Sequence, residues 1–321
     1  MARAAVFGKT FRLALPMFGA RSIATRATSY TLNTAAKIPA LGFGTFQDPD
    51  SQEGSVSLAL RKGMRLIDTA RVYNVEEQVG KGIKKSGIPR EDIFIGTKLW
   101  CNDYHPDDVE RAVDDSLRDL DTPYVDLLLM HYPCTFKRGP NRFRRDAEGR
   151  MIPGETNFVQ TWRAMEEVVK TGKIKAIGVS NFSKREIETL LEETGTVPAV
   201  HQMEVHPYLQ QKTGWSKEIA HMIRVIDQPI LKEISEKYEK SPVQVVLVWG
   251  VNRGRSVIPK SVVDWQIEQN LEADFELQPE DMAKIATLDA KARFNDPSLD
   301  YEWRLYRDLE GIDGTVKGRT H

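Results

Sequence analysis

The chain has 321 residues, with 45 Lys and Arg against 46 Asp and Glu, a formal net charge of −1, and 40% hydrophobic and 28% charged residues. This is ordinary globular composition, long enough to bury the core of one large or two smaller domains, and it excludes disordered, collagenous and coiled-coil chains. The charge balance argues against nucleic-acid binding, no apolar run reaches the ~18 residues of a membrane span, and two cysteines, Cys101 and Cys134, are too few for a disulfide scaffold and fit a reducing compartment.

Charge is unevenly spread along the chain. The first 47 residues hold Arg3, Lys9, Arg12, Arg21, Arg26 and Lys37, and no acid precedes Asp48. Phe7, Phe11, Leu15 and Phe18 share one helical face, interrupted at Pro16, so this basic, Ser-containing start has the character of an organellar transit peptide. A disordered basic tail is the plainer alternative. The expected division is a leader at 1–30 and a folded body with a C-terminal tail at 31–321. Loss of the leader would remove five positive charges and leave an acidic body. A mitochondrial address follows if the leader is an import signal, and a cytoplasmic one if it is not.

After the leader, short apolar runs at 38–43, 65–69, 93–99, 125–131, 174–179, 200–205 and 256–258 predict strands buried on both faces. Helical patterns fall between them at 54–62, 76–86, 106–120, 157–170, 184–194 and 242–252. This alternation means an α/β fold, either a doubly wound open sheet or a (β/α)8 TIM barrel. A dinucleotide-binding open sheet should carry G-x-G-x-x-G after its first strand, but Gly42-Phe43-Gly44-Thr45-Phe46 has no third glycine and no helix start. Polar residues instead close many different runs: Asp68, Lys98, His131, Ser180 with Asn181, Gln202 and Lys260. A barrel gathers such residues on one face, although it needs eight strands and only seven runs are present.

Asp68, Tyr73, Lys98 and His131 make a coherent proton-transfer group. A free phenol near pKa 10 is a poor acid at neutral pH, and a buried ammonium would lower that value by favouring the phenolate. A carboxylate keeps such a lysine charged, and a neutral histidine can hold a substrate carbonyl toward the acid. Taken singly, each has a bland reading, the Asp as a helix cap and the Tyr as packing. Four of them at successive strand ends of one barrel are harder to dismiss.

With these residues in hand, the sequence resembles the aldo-keto reductase superfamily, specifically its aldehyde, xylose and glycerol reductase-like members. The similarity runs from Ile38 to about Tyr208 and again from Pro229 to about Pro297. It includes Gly42-Phe43-Gly44-Thr45, Asp68-Thr69-Ala70 with Tyr73, Gly96-Thr97-Lys98-Leu99-Trp100, Gly178-Val179-Ser180-Asn181-Phe182, Gln202-Met203-Glu204-Val205-His206-Pro207 and Ile258-Pro259-Lys260-Ser261. The resemblance implies a monomeric (β/α)8 barrel that reduces a small-molecule carbonyl with NADPH. It implies Tyr73 as general acid, Lys98 lowering its pKa, Asp68 as partner of Lys98, and His131 orienting the substrate. Ser180, Asn181 and Gln202 would hold the nicotinamide carboxamide, and Lys260 and Ser261 would meet the adenosine 2′-phosphate, with Asn270 also on the cofactor. Phe46, where many members carry Trp, and Trp100 would line the substrate pocket with His131.

Two features depart from the family. Gln266 stands where an Arg often stacks on the adenine, which weakens the case for phosphate recognition. Only 20 residues separate Tyr208 from Pro229, too few for the family's helix, seventh barrel strand and pyrophosphate-covering loop. Ile219, Met222, Ile223 and Ile226 follow a helical spacing, so 216–226 is expected to be a helix with Ser216 as N-cap, and the seventh strand to be absent. A gap in the wall, a local rearrangement or poor stability should result. The alternative function is therefore a barrel that keeps the catalytic groups but binds cofactor poorly, serving as a binding or regulatory protein or a truncated isoform. His105, His201, His206 and His221 show no metal-ligand spacing. The insertion at 134–155, with Arg138, Arg142, Arg144 and Arg145, reads as a solvated loop more than a lid.

Overall fold

The computed structural model describes residues 28–211, 224–298, 300, 301 and 303. The expected leader thus lies outside the described residues apart from its last three. Of the expected helix at 216–226 only the end is described, and Val225–Asp227 there is a single 3₁₀ turn.

The described chain opens with an antiparallel hairpin of β1 (Ser29–Thr31) and β2 (Lys37–Pro39). Ser29 and Tyr30, placed in the leader by composition, belong to this hairpin. Next comes a parallel sheet of six strands in chain order: β3 (Phe43–Gly44), β4 (Leu66–Asp68), β5 (Phe94–Leu99), β6 (Leu127–Met130), β7 (Ile177–Ser180) and β8 (His201–Gln202). The run at 38–43 is thereby split, with Ile38 in the hairpin and Phe43 in the barrel. The run at 256–258 forms no strand; it closes onto β3 through parallel bridges Leu41 to Val257 and Gly44 to Lys260.

The described α-helices are α1 (Pro49–Lys62), α2 (Glu76–Ser86), α3 (Pro106–Asp119), α4 (Phe158–Lys170), α5 (Lys184–Thr194), α6 (Pro229–Tyr238), α7 (Pro242–Asn252), α8 (Asp264–Leu271) and α9 (Pro279–Ala286). Local chemistry sets their starts. Asn157 with Gln160, Ser183 with Glu186 and Ser241 with Gln244 form reciprocal capping boxes, and proline opens α1, α3, α6, α7 and α9.

The pleat decides what the barrel contains. Side chains two apart share a face, so Leu66, Phe94, Leu127, Leu129 and Ala176 point inward and form an apolar floor beneath which Ile38 and Tyr30 of the hairpin pack. Ile67, Ile95, Leu128, Met130 and Val179 point outward into the layer shared with the helices. Continued upward, the inward rows end in Asp68, Lys98, His131, Ser180 and Gln202. Gly178 lets β8 approach, since a Cβ there would sit 2.4 Å from the Val200 carbonyl oxygen. Among the described residues no strand pairs with the outer side of β8, so the barrel is incomplete at the place expected from the short segment after Tyr208.

Candidate active site

The inward rows bring the four proton-transfer residues together. The Lys98 Nζ donates to Asp68 Oδ1 at 2.6 Å and to the Thr69 carbonyl at 2.9 Å, and it lies 3.5 Å from the Tyr73 hydroxyl. Lys98 is 2% exposed and Asp68 7%, so this is a buried ion pair. Tyr73 sits on the 3₁₀ turn Arg71–Tyr73 that follows β4. Its ring packs against Phe46, with centroids 5.0 Å apart, and against His131 at 5.6 Å.

Burial dominates the electrostatics. It works against the Lys98 ammonium, but Asp68 and Tyr73 together outweigh that cost, and the Lys98 pKa is raised. Burial pushes the Tyr73 phenol up, Lys98 pulls it down, and the net direction is upward. The lysine acts with the expected sign, yet the expected net lowering is not what this site produces. Tyr73 therefore holds its proton firmly at neutral pH. His131 is pushed well below the usual histidine range by burial and by the Lys98 charge, which makes it a neutral imidazole.

A cavity of about 820 Å³ opens over these groups, lined at its rim by Phe46, Tyr73, His131, Ser180, Asn181 and Lys260. Asn181, in a left-handed conformation at φ 61°, turns its amide to donate to the His131 carbonyl at 2.9 Å and to Ser180 Oγ at 3.1 Å. Gln202 lines the same cavity and donates to Asp68 Oδ2 at 3.0 Å. Lys260 is ion-paired with Asp48. Ser261 is buried, its hydroxyl donating to Gln266 Oε1 at 2.6 Å and accepting from the Val263 N–H, and Asn270 is buried on α8. Neither Ser261 nor Asn270 is among the residues lining the cavity.

The comparisons bear directly on this arrangement. The family model described as "Aldo/keto reductase family" matches residues 39–225. The chain is 38% identical over 296 residues to the uncharacterized oxidoreductase C26F1.07 of Schizosaccharomyces pombe, covering 85% of this chain and 92% of that one. It is 36% identical over 301 residues to aldo-keto reductase family 1 member A1 of Rattus norvegicus, covering 85% and 93%. The chain belongs to the aldo/keto reductase family. The solved structure of the aldose reductase from Schistosoma japonicum superposes with a TM-score of 0.81 at 30% identity, covering 90% of this chain and all of that one. The fold and the oxidoreductase class are thus those of a known barrel family, with no strand beyond β8 among the described residues.

Two expected pocket residues of this aldo/keto reductase behave differently from one another. Phe46 is 51% exposed at the cavity mouth, whereas Trp100 is 2% exposed and does not line the cavity. Trp100 lies edge-on to His131 at 5.3 Å and to Tyr301 at 6.0 Å, and its indole N–H donates to the Arg142 carbonyl at 3.2 Å. The insertion at 134–155 is what covers it. That segment folds back on itself through bridges Phe136 to Pro153 and Arg145 to Met151; Phe136 and Met151 anchor it in the core while 137–150 stays largely exposed, as expected of a solvated loop.

Sequence reading missed Glu204. Its carboxylate accepts from the backbone N–H of Phe294 at 2.7 Å and of Asn295 at 3.0 Å and pairs with His206 at 2.8 Å, so it ties the C-terminal segment to the end of β8. Asn295 thereby reaches the cavity wall. The signal was a glutamate that stays half-buried within an otherwise apolar strand end, Met203-Glu204-Val205. Tyr132, stacked on His131 at 5.2 Å, was also missed.

Proposed function

We propose that this chain reduces the carbonyl of an aldehyde, ketone or open-chain sugar to an alcohol, acting as a monomer with NADPH as hydride donor and Tyr73 as proton donor. The observation that carries the reading is the buried Asp68, Lys98 and Tyr73 chain, 2.6 and 3.5 Å long in its two steps, with neutral His131 beside it. The names of the relatives, an aldo-keto reductase and an aldose reductase, support a carbonyl substrate.

The residues present fit a nicotinamide dinucleotide. A cavity of about 820 Å³ is within the usual range for such ligands, and Ser180, Asn181 and Gln202 offer amide and hydroxyl groups at one end of its rim while Lys260 offers a cation at the other. When bound, the reduced nicotinamide supplies the hydride. His131 orients the carbonyl oxygen through its imidazole, and Tyr73 gives up its hydroxyl proton to that oxygen as negative charge develops there. Lys98 stabilises the phenolate left behind, and Asp68, held by Gln202, keeps Lys98 charged and in place.

One observation favours the alternative of a barrel impaired in cofactor binding: Lys260 is already satisfied by Asp48, and Ser261 by Gln266. Titration of the purified chain with NADPH and NADH, followed by tryptophan fluorescence, separates the two. Saturable binding with turnover of an aldehyde supports the reductase, and no binding at millimolar cofactor sinks it. Tyr73→Phe should abolish turnover while leaving cofactor affinity nearly unchanged. For the leader, a mitochondrial address is proposed, and a fluorescent protein carrying residues 1–30 should co-localise with mitochondria; diffuse cytoplasmic signal rejects that address.

A further inference from the structure

The contact between lysine and phenol is the loosest in the proton-transfer chain. Lys98 Nζ is held closely by Asp68 and by the Thr69 carbonyl, whereas it meets the Tyr73 hydroxyl only at 3.5 Å. That separation is the outer limit of a hydrogen bond, so a small displacement would break it. Whatever fixes it must act both on the turn that carries Tyr73 and on the strand that carries Lys98.

One buried carboxylate does both. Glu76, the first residue of α2, is 3% exposed. Its Oε1 accepts from the Thr97 hydroxyl at 2.6 Å, and its Oε2 accepts from Arg71 Nη1 at 3.0 Å and from the Ser116 hydroxyl at 3.1 Å. Arg71 stands two residues before Tyr73 on the same 3₁₀ turn, and Thr97 immediately precedes Lys98 on β5. The alternation of the strand accounts for Thr97, because with Lys98 pointing inward its neighbour points outward to the helices. Asn74, left-handed at φ 56°, turns the chain from Tyr73 into α2. Arg71 also pairs with Asp119 of α3, so its guanidinium is fixed on two sides. None of Arg71, Glu76 and Thr97 is among the residues lining the catalytic cavity, so they act on the chemistry only through the groups they hold.

We propose that Glu76 is a positioning residue for the proton transfer, its carboxylate bridging Arg71 and Thr97 so that the Tyr73 hydroxyl stays within reach of the Lys98 ammonium. The bridge matters to turnover only if Tyr73 gives up the proton, so it rests on the reductase reading. Ser116 on α3 is an internal control, since its hydroxyl meets the same carboxylate but leads to neither Tyr73 nor Lys98. Deleting one donor at a time frees the turn or the strand without leaving the buried carboxylate wholly unpartnered.

Thr97→Val keeps the side-chain volume and deletes the hydroxyl, and Arg71→Gln breaks the other arm. In steady-state assays of the full chain with NADPH and an aldehyde, each should lower kcat about 10- to 100-fold, the loss expected when a catalytic group is displaced by about 1 Å, with cofactor affinity by tryptophan fluorescence unchanged. The solvent deuterium isotope effect on kcat should rise in both, because proton transfer is the step that slows. Thr97→Ser restores the donor and should recover most of the turnover. Ser116→Ala should lower the melting temperature about as much as Thr97→Val while keeping wild-type kcat, which separates positioning from stability. Relative to the wild type, crystal structures of Thr97→Val and Arg71→Gln should show a longer Lys98 to Tyr73 separation, and that of Ser116→Ala an unchanged one. Wild-type turnover in Thr97→Val and Arg71→Gln overturns the bridge, as does an equal loss of turnover in Ser116→Ala or an unchanged separation in both crystal structures. A wild type that turns over no aldehyde refutes the reductase reading instead, and the crystallographic separations then decide the bridge by themselves.

Discussion

Replacing Lys98 by Met tests the electrostatics of the site most sharply. Methionine nearly matches the length of the lysine stem, so the change removes a charge while leaving little void. The Lys98 and Asp68 side chains are 1% and 10% exposed and 2.6 Å apart, and the Lys98 ammonium also serves the Thr69 carbonyl. Loss of the cation leaves Asp68 with the Gln202 amide, 3.0 Å from its other oxygen, as its hydrogen-bonding side-chain partner. Breaking one half of such a buried pair costs about 3 to 5 kcal/mol. At roughly 2 °C per kcal/mol for a domain this large, the melting temperature should fall by about 6 to 10 °C, readable by circular dichroism. Adding Asp68→Asn removes the orphaned charge, so the double variant should recover much of that loss. Turnover should be nearly absent in both, since the Tyr73 phenolate loses its counter-charge. A Lys98→Met melting temperature within about a degree of the wild type, or a double variant no more stable than the single, would refute a charged buried pair.

Three further outcomes follow from the same contacts. His201 is half-buried with a pKa lowered to about 4 from 6.5, and a group depressed on folding contributes stability above its unfolded pKa that is lost as pH falls toward the folded one. Stability should therefore drop by about 3 kcal/mol between pH 6.5 and 4 from His201 alone, and His201→Asn should flatten that part of a denaturation series; an unchanged slope rejects the assignment. Gly178→Ala would drive a Cβ to 2.4 Å from the Val200 oxygen and should cost about 1 to 3 kcal/mol while displacing β8, so urea midpoints and turnover should fall together. Asp48→Ala frees Lys260, and it should tighten binding of a 2′-phosphorylated dinucleotide relative to the unphosphorylated one, by about 3- to 10-fold in a fluorescence titration. An unchanged ratio would show that the ion pair does not gate phosphate recognition.

Much of the site was legible because a strand has a period of two. Once the strands were located, Asp68, Lys98 and His131 had to lie on the same inner face as Leu66, Gly96 and Leu129, two residues below each. The barrel itself was legible from strand-helix alternation and the missing dinucleotide fingerprint, and the lack of a strand beyond β8 among the described residues from the 20 residues where a helix, strand and loop should stand. The roles of partners were not legible. Gln202 lies 134 residues from Asp68, and nothing local marks an amide that supports a carboxylate as distinct from one that faces a ligand. Trp100 ends an inward-reading segment, yet Phe136, Phe143 and the Arg142 carbonyl of the loop at 134–155 pack against it, so it backs His131 without lining the cavity.

What the amino-acid order alone determined is therefore the set of groups and the face on which they stand, because periodicity and strand ends are properties of neighbouring residues. Tertiary structure decided how those groups behave. The upward net shift of Tyr73, the neutrality of His131 and the capture of Lys260 by Asp48 all depend on distance and burial. Desolvation and Coulomb interactions act through space, between residues whose separation along the chain carries no record of their separation in the fold.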